Sequence, residues 1–231
     1  MRSVPSLFFL HLYSLHIFLQ NTIMALFGHL ATFFTFAALV LQVFSMIGTT
    51  YNQPFLRDLY FVKVYTGSEF VIAGLWSYCT GSNNGGVSMC SKPVPAFNWS
   101  NAGGVGSYLD GISNLDRVFL ANFILYWIAL GFTFLALVIT IMSHFRRGPD
   151  FLASLMTFMA FVVQMVVFII ILVVCIRGVN AAKGESASVS GNLGPSMWMT
   201  LGAFVALLLS SIGYCFACIC GPGRVRSHEK V

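Results

Sequence analysis

Four stretches of this chain, residues 27–47, 118–142, 151–176 and 197–220, contain no Asp, Glu, Lys or Arg. Each is long enough to cross a bilayer, which takes roughly 20 residues at about 1.5 Å rise to span about 30 Å of hydrocarbon. Backbone groups in hydrocarbon must bond within their own segment, so each stretch is expected to be a helix. With 58% hydrophobic and only 8% charged residues, the chain has too little polar surface for a soluble globular domain. The expected fold class is an all-α membrane protein, a four-transmembrane-helix bundle.

Orientation follows from basic residues in the short connections. The link between spans two and three carries Arg146 and Arg147, and the tail at 221–231 carries Arg224, Arg226 and Lys230, five cations in about 19 positions. The segments 48–117 and 177–196 hold Arg57, Lys63, Lys92, Arg117, Arg177 and Lys183, six in nearly 90. The denser side is expected to be cytoplasmic, with both termini inside and 48–117 outside. The net charge of +5 is then mainly a topology signal. No basic cluster alternates with aromatic residues, so nucleic acid is not an expected partner.

Residues 1–23 form an N-terminal extension of open status ahead of a domain at 24–220. Their apolar run, 7–19, is too short to span a bilayer. Three readings stand: a signal peptide with Arg2 as its charged region, an interfacial helix with His11, Tyr13 and His16 at headgroup level, or a start of the working protein at Met24.

Within span one, Gly28, Ala31, Thr35, Ala38, Gln42, Ser45 and Thr49 recur at steps of three and four, placing a small or polar stripe on one helix face. Span four repeats the device with Gly202, Ala206, Ser210, Gly213 and Ala217. Such stripes let helices approach closely, and this packing role is preferred to transport. Gln42 and Gln164 lie at similar depth, about 20 Å from the cytoplasmic ends, and are expected to hydrogen-bond across the bundle.

Pumps, proton relays and voltage sensors need charge inside the membrane, and no span carries any. No paired carboxylates, nucleophile triad, nucleotide loop or zinc signature occurs. The chain is therefore read as a non-enzyme with no catalytic residues, no metal and no cofactor.

The segment 48–117 holds two cysteines, Cys79 and Cys90, on the side where disulfides form. One pair has one connectivity, the alternative being two free thiols. Closing so short a loop stabilises by about 2 to 3 kcal/mol on the chain-entropy model. Residues 59–65 and 70–79 are rich in β-branched and aromatic side chains and read as two strands, with a third at 87–90 after the Gly- and Asn-rich turn at 81–87. A short helix is expected at 108–115. The loop is thus a small disulfide-bonded extracellular β-sheet. Asn98-Trp99-Ser100 is a sequon, which makes Asn98 a candidate glycosylation site.

The remaining cysteines lie in spans three and four. Cys175 is expected to pack as an apolar residue. Cys215, Cys218 and Cys220 crowd the inner end of span four beside basic residues, a setting that suits S-palmitoylation of Cys218 and Cys220 and equally suits plain helix packing. A zinc site lacks a fourth ligand.

Gly74-Leu75-Trp76, followed by Cys79 and Cys90, resembles the first-loop signature of claudin-like four-span proteins. Arg117 falls where claudins carry a loop-closing arginine. The upstream tryptophan of the animal signature is absent, with Tyr51, Phe55 or Tyr60 expected to take its packing place. The span-two text Trp127-Ile-Ala-Leu-Gly-Phe-Thr-Phe-Leu-Ala-Leu is similar instead to the fungal Sur-seven/PalI family.

The resemblance covers about residues 24–220. The Sur-seven branch implies a plasma-membrane protein of static cortical, eisosome-associated patches that supports cell-wall organisation and endocytosis. The PalI branch implies an accessory of ambient-pH signalling. The mating-associated relatives imply roles in cell fusion and calcium influx. The Sur-seven branch is preferred because a PalI-like protein is expected to carry a long polar tail, whereas about eleven residues follow Cys220 here. Expected partners are membrane lipids, further copies or other membrane proteins, and cell-wall polymer, with Trp76 and Trp99 as aromatic anchors; the alternative is that Trp76 fills the core of the sheet. A pore lined by Asp58, Glu69, Asp110 and Asp116 is a further alternative, although Arg57, Lys63 and Lys92 mix the signs.

Overall fold

The structure, a computed structural model, describes residues 4–51, 53–103, 115–145, 150–185 and 189–220. Four long helices carry the spans: α1 (Val4–Ile47), α3 (Asp116–Phe145), α4 (Asp150–Glu185) and α5 (Pro195–Cys220). Their membrane-length portions are Leu26–Ile47, Asp116–Met142, Phe151–Ala181 and Pro195–Phe216. Helix α1 has no break at Met24, so the run 7–19 is helical and continuous with span one. Helix α4 continues past residue 176 to Glu185, because hydropathy marks where the membrane ends and not where a helix must.

Helix α5 packs against α1 and α4, and α3 packs against α4. The small-residue stripe of α1 faces this interior: Ala31, Thr35, Ala38, Gln42, Ser45 and Thr49 are all buried. Gly28 is the exception. A Cβ there would meet nothing within 4 Å, so it makes no close helix contact. On α5, a Cβ on Gly213 would lie 3.0 Å from the Ala31 methyl, while Ala206 joins Ala38, Ala160, Ala203 and Leu207 in a mid-bundle cluster. A Cβ on Gly202 would lie 3.3 Å from Leu41. Small side chains on three helices thus let the backbones close without voids.

Polar groups inside the bundle bond across it. The Thr35 and Ser210 hydroxyls are 2.6 Å apart, and Ser210 also donates to the Ala31 carbonyl at 2.9 Å. Gln42 Nε2 donates to Gln164 Oε1 at 3.0 Å. Tyr126, fully buried, bonds the Ser45 hydroxyl and donates to the Gln42 carbonyl. Among the described residues Gln42 Oε1 and Gln164 Nε2 lack a partner at full hydrogen-bond geometry, so the glutamine pair ties α1 to α4 at some desolvation cost.

Five antiparallel strands form one sheet in the order β4-β3-β2-β1-β5. They are β1 (Val62–Thr66), β2 (Glu69–Ala73), β3 (Tyr78–Ser82), β4 (Gly86–Cys90) and β5 (Val189–Leu193). Two details depart from the expected loop. The run 70–79 is not one strand: it breaks at Gly74–Ser77, where Gly74 N–H donates to the Ser77 carbonyl at 2.9 Å. In addition, β5 comes from the connection between α4 and α5 and pairs along all of β1, from Val62 opposite Leu193 to Thr66 opposite Val189. The short helix expected at 108–115 lies almost wholly outside the described residues.

Alternation assigns the two faces of the sheet. Val62, Val64, Val71, Ala73 and Val189 join the core that also contains Phe119, Tyr126, Ile171 and Val174 of the helices. Phe70, Ile72 and Cys79 form a second small cluster on the opposite face, flanked by Tyr60, Tyr65, Val87 and Cys90. Cys79 and Cys90 stand opposite each other on β3 and β4 and are disulfide-bonded.

The glutamine bond makes a measurable claim. In a double-mutant cycle on Gln42→Leu and Gln164→Leu, unfolding in detergent or bicelles should show a coupling of about 0.5 to 2 kcal/mol. Purely additive losses would mean that the contact contributes nothing.

Candidate functional site

The junction between sheet and bundle is built on the end of α1. The last carbonyls of any helix lack intrahelical donors, and at a membrane boundary they need partners. The chain turns at Thr49, which adopts a left-handed φ of 62°, and Thr49 N–H donates to the Leu56 carbonyl at 2.8 Å. The Met46 carbonyl is met by a side chain: the indole Nε1–H of Trp76 donates to it at 2.7 Å. The Trp76 ring stands edge-on to Phe123 of α3 at 4.9 Å.

Each member of Gly74-Leu75-Trp76 has a physical task here. Gly74 passes so close to α1 that a Cβ would sit 1.7 Å from Thr49 Oγ1, so only glycine fits. Its carbonyl accepts from the Trp99 indole at 2.9 Å. Leu75 is buried in the junction core. The Trp76 carbonyl accepts from Val94 N–H at 2.7 Å, holding the return of the chain after β4. Ser77, also buried, donates its hydroxyl to the Thr49 carbonyl.

Both tryptophans therefore work inward: Trp76 follows the packing alternative, although at the junction with the helices, and Trp99 is corrected from its expected role as an outward anchor. Trp99 is only 5% exposed and packs on Phe119, one turn of α3 before the ring that meets Trp76. The stand-ins expected for the missing tryptophan do not fill its place either. Tyr51 and Phe55 are exposed, and Tyr60 lies against the far face of the sheet.

Asn98 is placed differently from a typical glycan acceptor. It is 5% exposed, its Oδ1 accepts from Ser100 N–H at 3.0 Å, and its Nδ2 donates to Asp116 Oδ1 at 2.6 Å. Asp116 sits in the first turn of α3, where a carboxylate also complements the helix dipole. A glycan on Nδ2 would have to displace that bond and the packing of the neighbouring Trp99. Arg117 is exposed. The side chains of Ala217, Cys218 and Cys220 are not described, and Asp110 and the tail at 221–231 lie outside the described residues. Cys175 is buried, and Cys215 Sγ lies 3.1 Å from the Ser154 hydroxyl.

Among the described residues no group of three or more His, Cys, Asp or Glu is placed to hold a metal. The described charges named for a pore are each placed otherwise than in a lined channel. Asp116 is committed to Asn98, the Lys63 ammonium lies over the Phe70 and Tyr65 rings, and Asp58 and Glu69 are exposed. What the site offers is a rigid platform: four spanning helices, a disulfide-closed sheet, and a glycine-tryptophan clamp joining them.

The same combination of parts is found in a known family, whose model matches residues 27–213. The chain belongs to the SUR7/PalI family. That match takes in the clamp, the disulfide and nearly the whole of the four spans, and it identifies a multi-pass membrane protein of claudin-like fold. No curated protein matches the chain. For this SUR7/PalI protein, Thr49, Ser77 and Asp116 belong with the recognised motif, although nothing in the spacing of the motif points to them.

Two outcomes follow from the clamp. Gly74→Ala should prevent correct docking of the loop and reduce yield of disulfide-bonded protein severalfold, whereas adding Thr49→Gly should restore part of it, since that change removes the clashing Cβ and Oγ1 and suits a positive φ. Wild-type yield of the single variant would contradict the close approach. Asn98 should carry no glycan, so endoglycosidase treatment should leave electrophoretic mobility unchanged and Asn98→Gln should do the same. A shift on treatment that disappears in Asn98→Gln would show that the side chain is released from Asp116.

Proposed function

We propose that this SUR7/PalI protein is a non-enzymatic organiser of plasma-membrane domains at the cell cortex, of the eisosome-associated kind, supporting cell-wall organisation and endocytosis. Its sheet stands outside the cell, and both termini are cytoplasmic. The observation that carries this reading is the clamp. A loop tied to the end of α1, to two rings of α3 and through β5 to the α4–α5 connection cannot swing as a gate, but it can present a constant surface. The absence of Asp, Glu, Lys and Arg from residues 27–47, 118–142, 151–176 and 197–220 supports the same reading, because coupled transport generally relies on such intramembrane charge. The lipid-facing sides of the helices are rich in large apolar side chains, including Phe33, Phe36, Leu120, Phe134 and Phe151, which suits contact with lipid and with other spans.

The proposed assembly depends on the ectodomain keeping its shape. A fluorescently tagged copy in a fungal host should form stable cortical patches with slow photobleaching recovery, and Cys79→Ser with Cys90→Ser should disperse them while leaving the protein at the cell surface. A diffuse signal unaffected by the double variant would favour the accessory role in pH signalling, for which the response to alkaline medium is the assay.

A further inference from the structure

The face of the sheet turned away from the helices carries an open groove of about 450 Å³ whose lining includes Arg57, Asp58, Tyr60, Lys63, Tyr65 and Phe70. The junction clamp does not use it. Its floor is aromatic: Tyr65 and Phe70 pack at 6.2 Å, and the Lys63 ammonium sits 3.8 Å from the Phe70 ring centre and 4.8 Å from that of Tyr65. Ring faces hold this cation in place without neutralising it. Among the described residues neither Lys63 nor Arg57 forms an ion pair, so the groove holds two uncompensated cations beside the single carboxylate of Asp58. Burial, with Tyr65 and Asp58 adding to it, pushes the Tyr60 phenol above its ordinary range and keeps it a neutral hydrogen-bond donor.

These features select among anionic partners. Strands β1 and β2 lie under the groove and are already paired on both sides, β1 with β2 and β5, β2 with β1 and β3. An acidic peptide laid across β1 and β2 would find no free strand edge there and could not add a strand to them, the free edge beside the groove being that of β4 at its rim. A sugar ring needs no such edge. Its apolar C–H face can lie on an aromatic side chain, its hydroxyls can meet phenol and carboxylate, and a ring carboxylate can take a bidentate bond from a guanidinium. We propose that this groove binds an acidic carbohydrate, a chain of pyranose rings bearing carboxylate groups, with Arg57 and Lys63 holding the carboxylates and Tyr60 and Tyr65 the rings. The inference rests on the outward placement of the sheet proposed above.

The test uses the full chain in phosphatidylcholine nanodiscs, titrated calorimetrically with hexagalacturonate. Binding should weaken as salt rises, and Arg57→Gln and Lys63→Met should each reduce affinity about tenfold. Met89→Gln, at an exposed position of β4 outside the groove lining, should leave affinity unchanged, with thermal melting showing that all variants are folded. Absence of binding by the unmodified protein overturns the assignment, as does binding that neither groove variant alters. Equal binding of hexaglutamate would replace the carbohydrate with an acidic peptide, and equal binding of a neutral glucohexaose would remove the role of the cations. Nanodiscs expose both faces, so failure in this assay leaves the cortical reading standing. A sheet shielded from membrane-impermeant lysine reagents in intact cells would overturn the placement, and the groove assignment with it.

Discussion

The end of α1 must be satisfied at the edge of a membrane, and the rest of the ectodomain is arranged around that demand. A helix that stops in bulk water can leave its last carbonyls to solvent, but one that stops against packed protein cannot. Here the Trp76 indole supplies a donor to Met46, and placing it there forces the chain before it to cross α1 at Gly74. That crossing ends β2, starts the turn into β3 and exposes the Gly74 carbonyl, which the Trp99 indole then occupies. One hydrogen bond of this kind contributes only about 0.5 to 1.5 kcal/mol. Its larger effect is geometric, because it sets where the sheet sits on the bundle.

The bundle beneath shows how polar groups can serve a membrane interior. Thr35 with Ser210, Gln42 with Gln164 and Ser45 with Tyr126 join helices by side-chain bonds at three depths. Each pairing is modest in energy, since the unfolded chain in a membrane also finds partners. Together they make a shifted register costly, because a slip of one turn would break all three cross-helix pairings and leave the buried glutamines without each other. Alanine clusters between these levels allow the close approach that the short hydroxyl bonds require.

Much of this was legible in the residues, for reasons that differ from part to part. The spans follow from the absence of charge, and the buried face of α1 follows from spacing, because residues three and four apart share a helix face. Spacing failed at Gly28, since a periodic pattern runs on beyond the point where a neighbouring helix is close enough to use it. The single cysteine pair made the disulfide legible. By contrast, Val-Ser-Gly-Asn-Leu has weak strand character, and β5 exists because β1 offers it an unpaired edge. The inward direction of Trp99 was equally hidden, since a tryptophan in a loop does not declare which way it faces, and for Trp76 the packing alternative could be named but not its partner, the Met46 carbonyl. Gly74 was recognised as part of a motif, but its necessity becomes physical only beside Thr49.

The late arrival of β5 has a consequence for how the protein is made. Strands β1 to β4 lie between the first and second spans, while β5 lies just ahead of the fourth. Until residue 193 has been synthesised and has reached the same side of the membrane, the outer edge of β1 stays open, exposing backbone groups that attract other strands. Closure of the sheet therefore reports that the third span has crossed in the correct direction. A chain inserted wrongly would carry a visibly unfinished ectodomain, which gives cellular quality control a structural mark by which to detain it.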